Sequence, residues 1–218
     1  MAKSHRRDSL HPPPRGFYER LDSNDDRGAA ILGVAYLDAV LEDAFRSRLR
    51  PDTPESVFDY RGPVGDLSSR IEMAFALGWI AVDTRLDLTL LRRIRNDFAH
   101  DYDHRLSFSE PPTCTRLAQM HVSRLVREGI DECLARARVD QLDANAQAEV
   151  SRLTSPRARF TMGIWLIADT IGHAGLYASP AYTNEEGSVE WLASRIMKGI
   201  LTPLELALGL VRPAPGAA

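Results

Sequence analysis

Apolar residues along this chain recur three and four positions apart, and nowhere do they alternate with polar ones over a sustained stretch. A turn of 3.6 residues brings such positions onto one stripe, whereas a half-buried strand needs a period of two. The pattern predicts an all-α protein, a single multi-helix domain of about six to eight helices arranged as αα-hairpins. Ser23, Asn24 and Asp25 offer caps to a helix carrying Ile31, Val34, Leu37, Leu41 and Phe45, which stops before Pro51. After a loop rich in Pro and Gly, where Thr53 caps at most one turn over residues 55–60, Asp66 opens a second helix. Leu67, Ile71, Ala74, Phe75 and Leu77 are expected inside it, and Gly78 closes it. Asp83 begins a central helix that ends near Tyr102. Pro111 and Pro112 start a long helix running to about Val139 with Leu117, Met120, Leu125, Val126, Ile130 and Leu134 inside. A shorter helix follows over residues 144–154, then an apolar one entered at Pro156 and carrying Phe160, Ile164, Ile167 and Ile171. Ser188 caps a last helix through Trp191, Leu192, Ile196 and Ile200, with a kink or break at Pro203 before Leu210.

This places a disordered tail at residues 1–22, a helical domain at 23–178 and a C-terminal helical extension at 179–218. The tail opens on Met1 to Gly16, where basic residues surround Pro12, Pro13 and Pro14, a composition without the apolar side chains a core requires. Composition adds little to the picture: 44% hydrophobic and 26% charged residues are ordinary for a globular chain. The formal net charge of -3 gives no global electrostatic pull toward nucleic acid. Two cysteines without a CxxC pair, and a start lacking the apolar core of a secretory signal, point to a reducing cytoplasm. The most apolar run, Phe160 to Ile171, contains Asp169 and is followed by Gly172 and His173, so no membrane span is expected.

Chemistry concentrates in Leu90-Leu91-Arg92-Arg93-Ile94-Arg95-Asn96-Asp97-Phe98-Ala99-His100. On one helix Leu91, Ile94 and Phe98 share a stripe, and Arg92, Asn96 and His100 fall nearly opposite. That polar face is the expected interaction surface. Arg95 lies at the stripe's edge, where its guanidinium is carried partly inward and needs a carboxylate, Asp38 or Asp66 being the candidates, which makes it a structural anchor. Residues 71–95 have the outline of a helix-turn-helix, but Leu86, Leu88, Leu90, Leu91 and Ile94 require burial where a recognition helix must offer polar groups to base edges. His100 and His104 are spaced for one metal, yet the HDYDH sequence lacks the HExxH glutamate, and histidines at a helix C-terminus account for the same residues. Cys114, His121 and Cys133 match no ligand spacing and are read as residues of a core helix. Nucleotide and hydrolase signatures are absent, and neither a cofactor nor a metal is expected.

Two resemblances extend this reading. Arg95, Asn96 and His100 resemble the Rx4H motif of the HEPN superfamily of helical proteins, many of them RNases. That resemblance implies metal-independent cleavage of RNA at a dimer cleft, with His100 as general acid or base and Arg95 clamping the phosphate. The longer run of Arg61-Gly62-Pro63-Val64-Gly65, Asp66-Leu67-Ser68-Ser69-Arg70-Ile71, Ala76-Leu77-Gly78-Trp79-Ile80, the helix from Leu91 to His100, and Ser107-Phe108 before Pro111-Pro112 is similar to the mannitol operon repressor family. It continues more weakly back to Asp26 and forward through Ser155-Pro156-Arg157-Ala158-Arg159-Phe160. This resemblance implies an all-helical transcriptional repressor without an obvious DNA-reading helix, acting through a protein partner; a homo-oligomer is expected beside it. RNA is the partner only in the ribonuclease alternative.

Overall fold

The computed structural model describes residue 13 and residues 16–103, 105–137, 141–177 and 189–210. Among the described residues there are nine α-helices and no strand: α1 (Phe17–Ser23), α2 (Asp26–Arg48), α3 (Leu67–Ala76), α4 (Val82–His100), α5 (Pro111–Gln119), α6 (His121–Ala137), α7 (Ala144–Thr154), α8 (Pro156–Tyr177) and α9 (Val189–Ala207). A single 3-10 turn, Glu55–Val57, lies in the loop before α3, entered from Pro54 rather than capped by Thr53.

The caps explain most of the boundaries. Asp25 accepts from the Gly28 amide at 2.6 Å to start α2, and Asp143 does the same for Ala146 at 2.8 Å to start α7. Asp66 starts α3, taking Ser69 N–H at 3.1 Å, and these hydrogen bonds hold its carboxyl below the usual range. Gly78 adopts the left-handed conformation (φ 69°) that turns the chain from α3 toward α4. Pro111 and Pro156 occupy the first turns of α5 and α8, where the missing amide proton costs nothing.

Two hydrophobic clusters result. The larger centres on α2, α4 and α8, with Phe108 stacked on Phe160 at 4.6 Å and set edge-on to Phe98 at 5.2 Å. The smaller joins Val126, Ile130 and Cys133 of α6 to Ala146 and Leu153 of α7 and to Leu201 and Leu204 of α9. The final helix thus closes a core of its own with α6 and α7, and it continues through Pro203 to Ala207. The cap expected at Ser188 lies outside the described residues, as do the side chains of Trp191, Leu192 and Ile196.

The structure departs from the sequence pattern in three places. Phe17–Ser23 is helical rather than part of a tail, because Phe17 and Leu21 insert into the core and the Phe17 ring meets Tyr36 at 4.3 Å. Apart from Pro13 and Gly16, the stretch from Met1 to Gly16 lies outside the described residues. The single helix expected from Pro111 to Val139 is two helices, separated at Met120, whose backbone is extended (ψ 141°). Several residues expected inside, Ile31, Phe75, Leu77 and Leu86, are exposed, Leu77 by 48%. They sit at the margins of their stripes, where burial is partial.

Candidate functional site

The central helix α4 divides by face as its spacing requires. Leu91, Ile94 and Phe98 are fully buried, Arg92 and Asn96 are half-buried, and His100, its last residue, is exposed. Among the described residues, the side chains of Arg92, Asn96 and His100 form no hydrogen bond or ion pair. The backbone around them is nevertheless pinned. Arg27 of α2 donates to the Asp101 carbonyl at 2.6 Å, supplying a cation and a donor where the carbonyls of α4 run out. Asp101 accepts from the Leu106 amide at 2.7 Å, Asp26 from the Phe108 amide at 2.8 Å, and Arg116 of α5 pairs with Asp97. Arg157 of α8 ties the same corner together, bonding Asp26 at 2.7 Å and the Leu21 and Asn24 carbonyls. A rigid helix end carries polar groups that its own fold leaves unused.

The interior arginine is Arg70, not Arg95. Arg70 of α3 is 4% exposed and its guanidinium is fully engaged: Nε donates to the Val64 carbonyl at 2.9 Å, Nη1 to Asp38 at 2.5 Å and Nη2 to Glu42 at 2.8 Å. It fastens α2, α3 and the intervening loop to one another. Asp38 and Asp66, the carboxylates expected for Arg95, are therefore taken, the first by Arg70 and the second by the start of α3. Arg95 is half-buried and, among the described residues, pairs with nothing. The loop that Arg70 clamps is tight at Gly65, where a Cβ would overlap the backbone carbonyl of Asp59. The Arg61-Gly62-Pro63-Val64-Gly65 and Asp66 to Ile71 motifs are accordingly fold-building.

A second buried ionisable residue, Asp87, accounts for the break between α5 and α6. It is fully buried on α4, and its carboxylate accepts from the backbone amides of His121 at 2.8 Å and Val122 at 3.1 Å, capping α6 from another helix. His121 Nδ1 lies 3.2 Å from the same oxygen that its own amide bonds. Burial pushes the Asp87 carboxyl above its ordinary range, against the pull of those hydrogen bonds and of His121.

The remaining expectations resolve simply. Leu88, Leu91 and Ile94 are buried and Leu90 is half-buried, so most of the face that a recognition helix would present is committed to the core. No group of three potential metal ligands occurs among the described residues; His104 lies outside them. Cys133 is buried and its thiol pushed up by burial, while Cys114 is half-buried. No helix is long and apolar enough to cross a membrane among the described residues.

The architecture is that of an all-α protein in which a buried arginine clamps α2, α3 and the loop between them, beside a central helix whose polar side chains Arg92, Asn96 and His100 form no pair among the described residues. Residues 52–149, from the loop after α2 into α7, match the family model described as mannitol repressor. The match takes in α3 to α6, with Arg70, Asp87 and the polar face of α4, and leaves α1, α2, α8 and α9 outside it. No curated protein and no solved structure matches the chain.

Proposed function

We propose that this protein is a transcriptional regulator of the mannitol repressor type that acts in the cytoplasm through a protein partner rather than by reading DNA. The observation that carries this reading is the polar face of Arg92, Asn96 and His100, unpaired on a helix that lies wholly within the family match. The end of its helix is held by Arg27 and the following loop by Asp101 and Asp26, so a partner meets a preorganised surface and loses little ordering entropy in docking. Self-association belongs to the same reading, supported by the exposed Phe75, Leu77, Val82 and Leu86 in the segment 75–86.

A second reading, a metal-independent ribonuclease using Arg95, Asn96 and His100, draws support from Arg95 having no carboxylate partner among the described residues. The helix itself sets Arg95 and His100 about 140° apart around the axis, so one chain does not focus both on a single phosphate.

One experiment separates the two. Protein carrying Asn96→Ala and His100→Ala is expected to keep its helical circular dichroism, with stability within about 0.5 kcal/mol of wild type. It is expected to lose a protein partner that wild type retains in a pull-down from the native host. Retained partner binding by the folded double variant would rule out this face. Cleavage of total RNA in chelator by wild type, absent from His100→Ala, would move the conclusion to the ribonuclease.

A further inference from the structure

Where α5 gives way to α6, the surface opens into a cleft of about 390 Å³ lined by Gln119, Met120, His121, Ser123, Arg124, Arg127 and Arg159. Three guanidiniums converge there in a chain whose formal net charge is -3. We propose that this cleft is a binding site for a small phosphate monoester, with Arg127 and Arg159 as its principal anion ligands.

Two of the three charges have no carboxylate beside them among the described residues. The side chains of Arg127 and Arg159 form no hydrogen bond or ion pair among the described residues, while Arg124 pairs with Glu128 at 3.0 Å. Nor is the cleft a helix terminus waiting for an anion, because Asp87 already holds the first two amides of α6 from below. Its attraction for phosphate comes from side chains. Guanidiniums present paired donors that match phosphate oxygens, and they come here from two different helices, α6 and α8, so the site depends on the tertiary fold.

His121 gives the cleft a fixed polar wall. Its Nδ1 faces the buried Asp87 carboxylate at 3.2 Å, which leaves Nε2 as the free nitrogen of a ring lining the cleft. Ser123 donates its hydroxyl proton to the Leu117 carbonyl at 2.6 Å, so its oxygen can only accept. The cleft's volume lies at the lower end of small-molecule sites, which suits a phosphate with a short polar body. This inference is independent of the face on α4, because it rests on residues of α5, α6 and α8.

Isothermal titration of the full chain at low salt with inorganic phosphate, glycerol 3-phosphate and glycerol tests it. Binding of glycerol 3-phosphate is expected, weaker binding of inorganic phosphate, and none of glycerol. Arg127→Ala with Arg159→Ala removes two charge-assisted contacts and is expected to weaken binding about 100-fold. Arg93→Ala, an exposed arginine elsewhere, leaves it unchanged. Absence of phosphate binding to wild type overturns the proposal, whatever the variants do. So does equal binding by a double variant with wild-type circular dichroism, or a preference of the cleft for a ten-nucleotide RNA that the same substitutions abolish. Should the double variant fail to fold, Arg127→Gln alone supplies the comparison, with about a tenfold loss expected and none overturning the assignment.

Discussion

Replacing Arg70 with Ala is expected to lower the unfolding free energy by about 3–4 kcal/mol, read by urea denaturation at neutral pH. Arg70 is 4% exposed and its guanidinium bonds three acceptors, two on α2 and one in the loop before α3, so its removal takes a donor from the Val64 carbonyl and from both carboxylates, of which Glu42 keeps Arg46. The loss falls at the lower end of what breaking a buried pair costs, because the side chains of Asp38 and Glu42 keep 33% and 24% of their surface in water and rehydrate in part. Arg70→Met, which keeps an apolar stem, is expected to be nearly as damaging. Arg70→Lys is expected to recover a fraction only, since an ammonium does not reproduce the three fixed directions of the guanidinium. Equal stability of the Met variant and wild type would show that the clamp contributes packing and nothing electrostatic.

Asp87→Ala is expected to cost about 2–3 kcal/mol, because the amides of His121 and Val122 lose their acceptor and α6 loses its cap. Asp87→Asn keeps an acceptor oxygen and is expected to cost well under half of that at neutral pH. The pH dependence separates charge from shape. Burial raises the folded-state pKa of Asp87 above its ordinary value of 3.8, so between that value and the folded-state pKa the folded chain holds this proton while the unfolded chain has released it. Stability contributed by this group is therefore complete below that window and falls as pH rises through the folded pKa. Wild type should lose ground relative to Asp87→Asn across this interval as pH increases, measured by parallel urea titrations. A difference independent of pH, or one growing in favour of wild type, would show that the hydrogen bonds from α6 outweigh desolvation.

These two residues also mark how far the sequence could be read. Helix positions, the caps at Asp25 and Asp66 and the turn at Gly78 were legible because each rests on local chemistry, a side chain bonding an amide two or three residues on or a backbone angle that glycine favours. Arg70 and Asp87 were legible in part. Arg70 shares the stripe of Leu67, Ile71 and Ala74, and Asp87 that of Leu91, Ile94 and Phe98, and a charge at a stripe position signals a buried pair. Arg95 carries the same signal from the stripe's edge, and spacing alone does not say which arginine meets Asp38. That is settled by α3 crossing α2, a contact between residues 32 positions apart. The division of α5 from α6 was illegible for the same reason. Nothing near Met120 breaks a helix, and the cap comes from α4, 34 residues earlier. The helix at Phe17–Ser23 is not legible in the sequence because two buried residues over so short a span give no measurable period.

The polar face of α4 was legible as a pattern, and the structure adds that the fold makes no use of it. Arg70 takes Asp38, so Arg95 has no anchoring partner among the described residues, and the side chains of Arg92, Asn96 and His100 have none either. Urea denaturation of Arg95→Ala tests this most directly. Since Arg95 has no carboxylate or carbonyl partner among the described residues, the unfolding free energy should stay within about 1 kcal/mol of wild type, the residual loss coming from its half-buried stem. A loss matching that of Arg70→Ala would contradict the account, for it would return Arg95 to the interior of the fold.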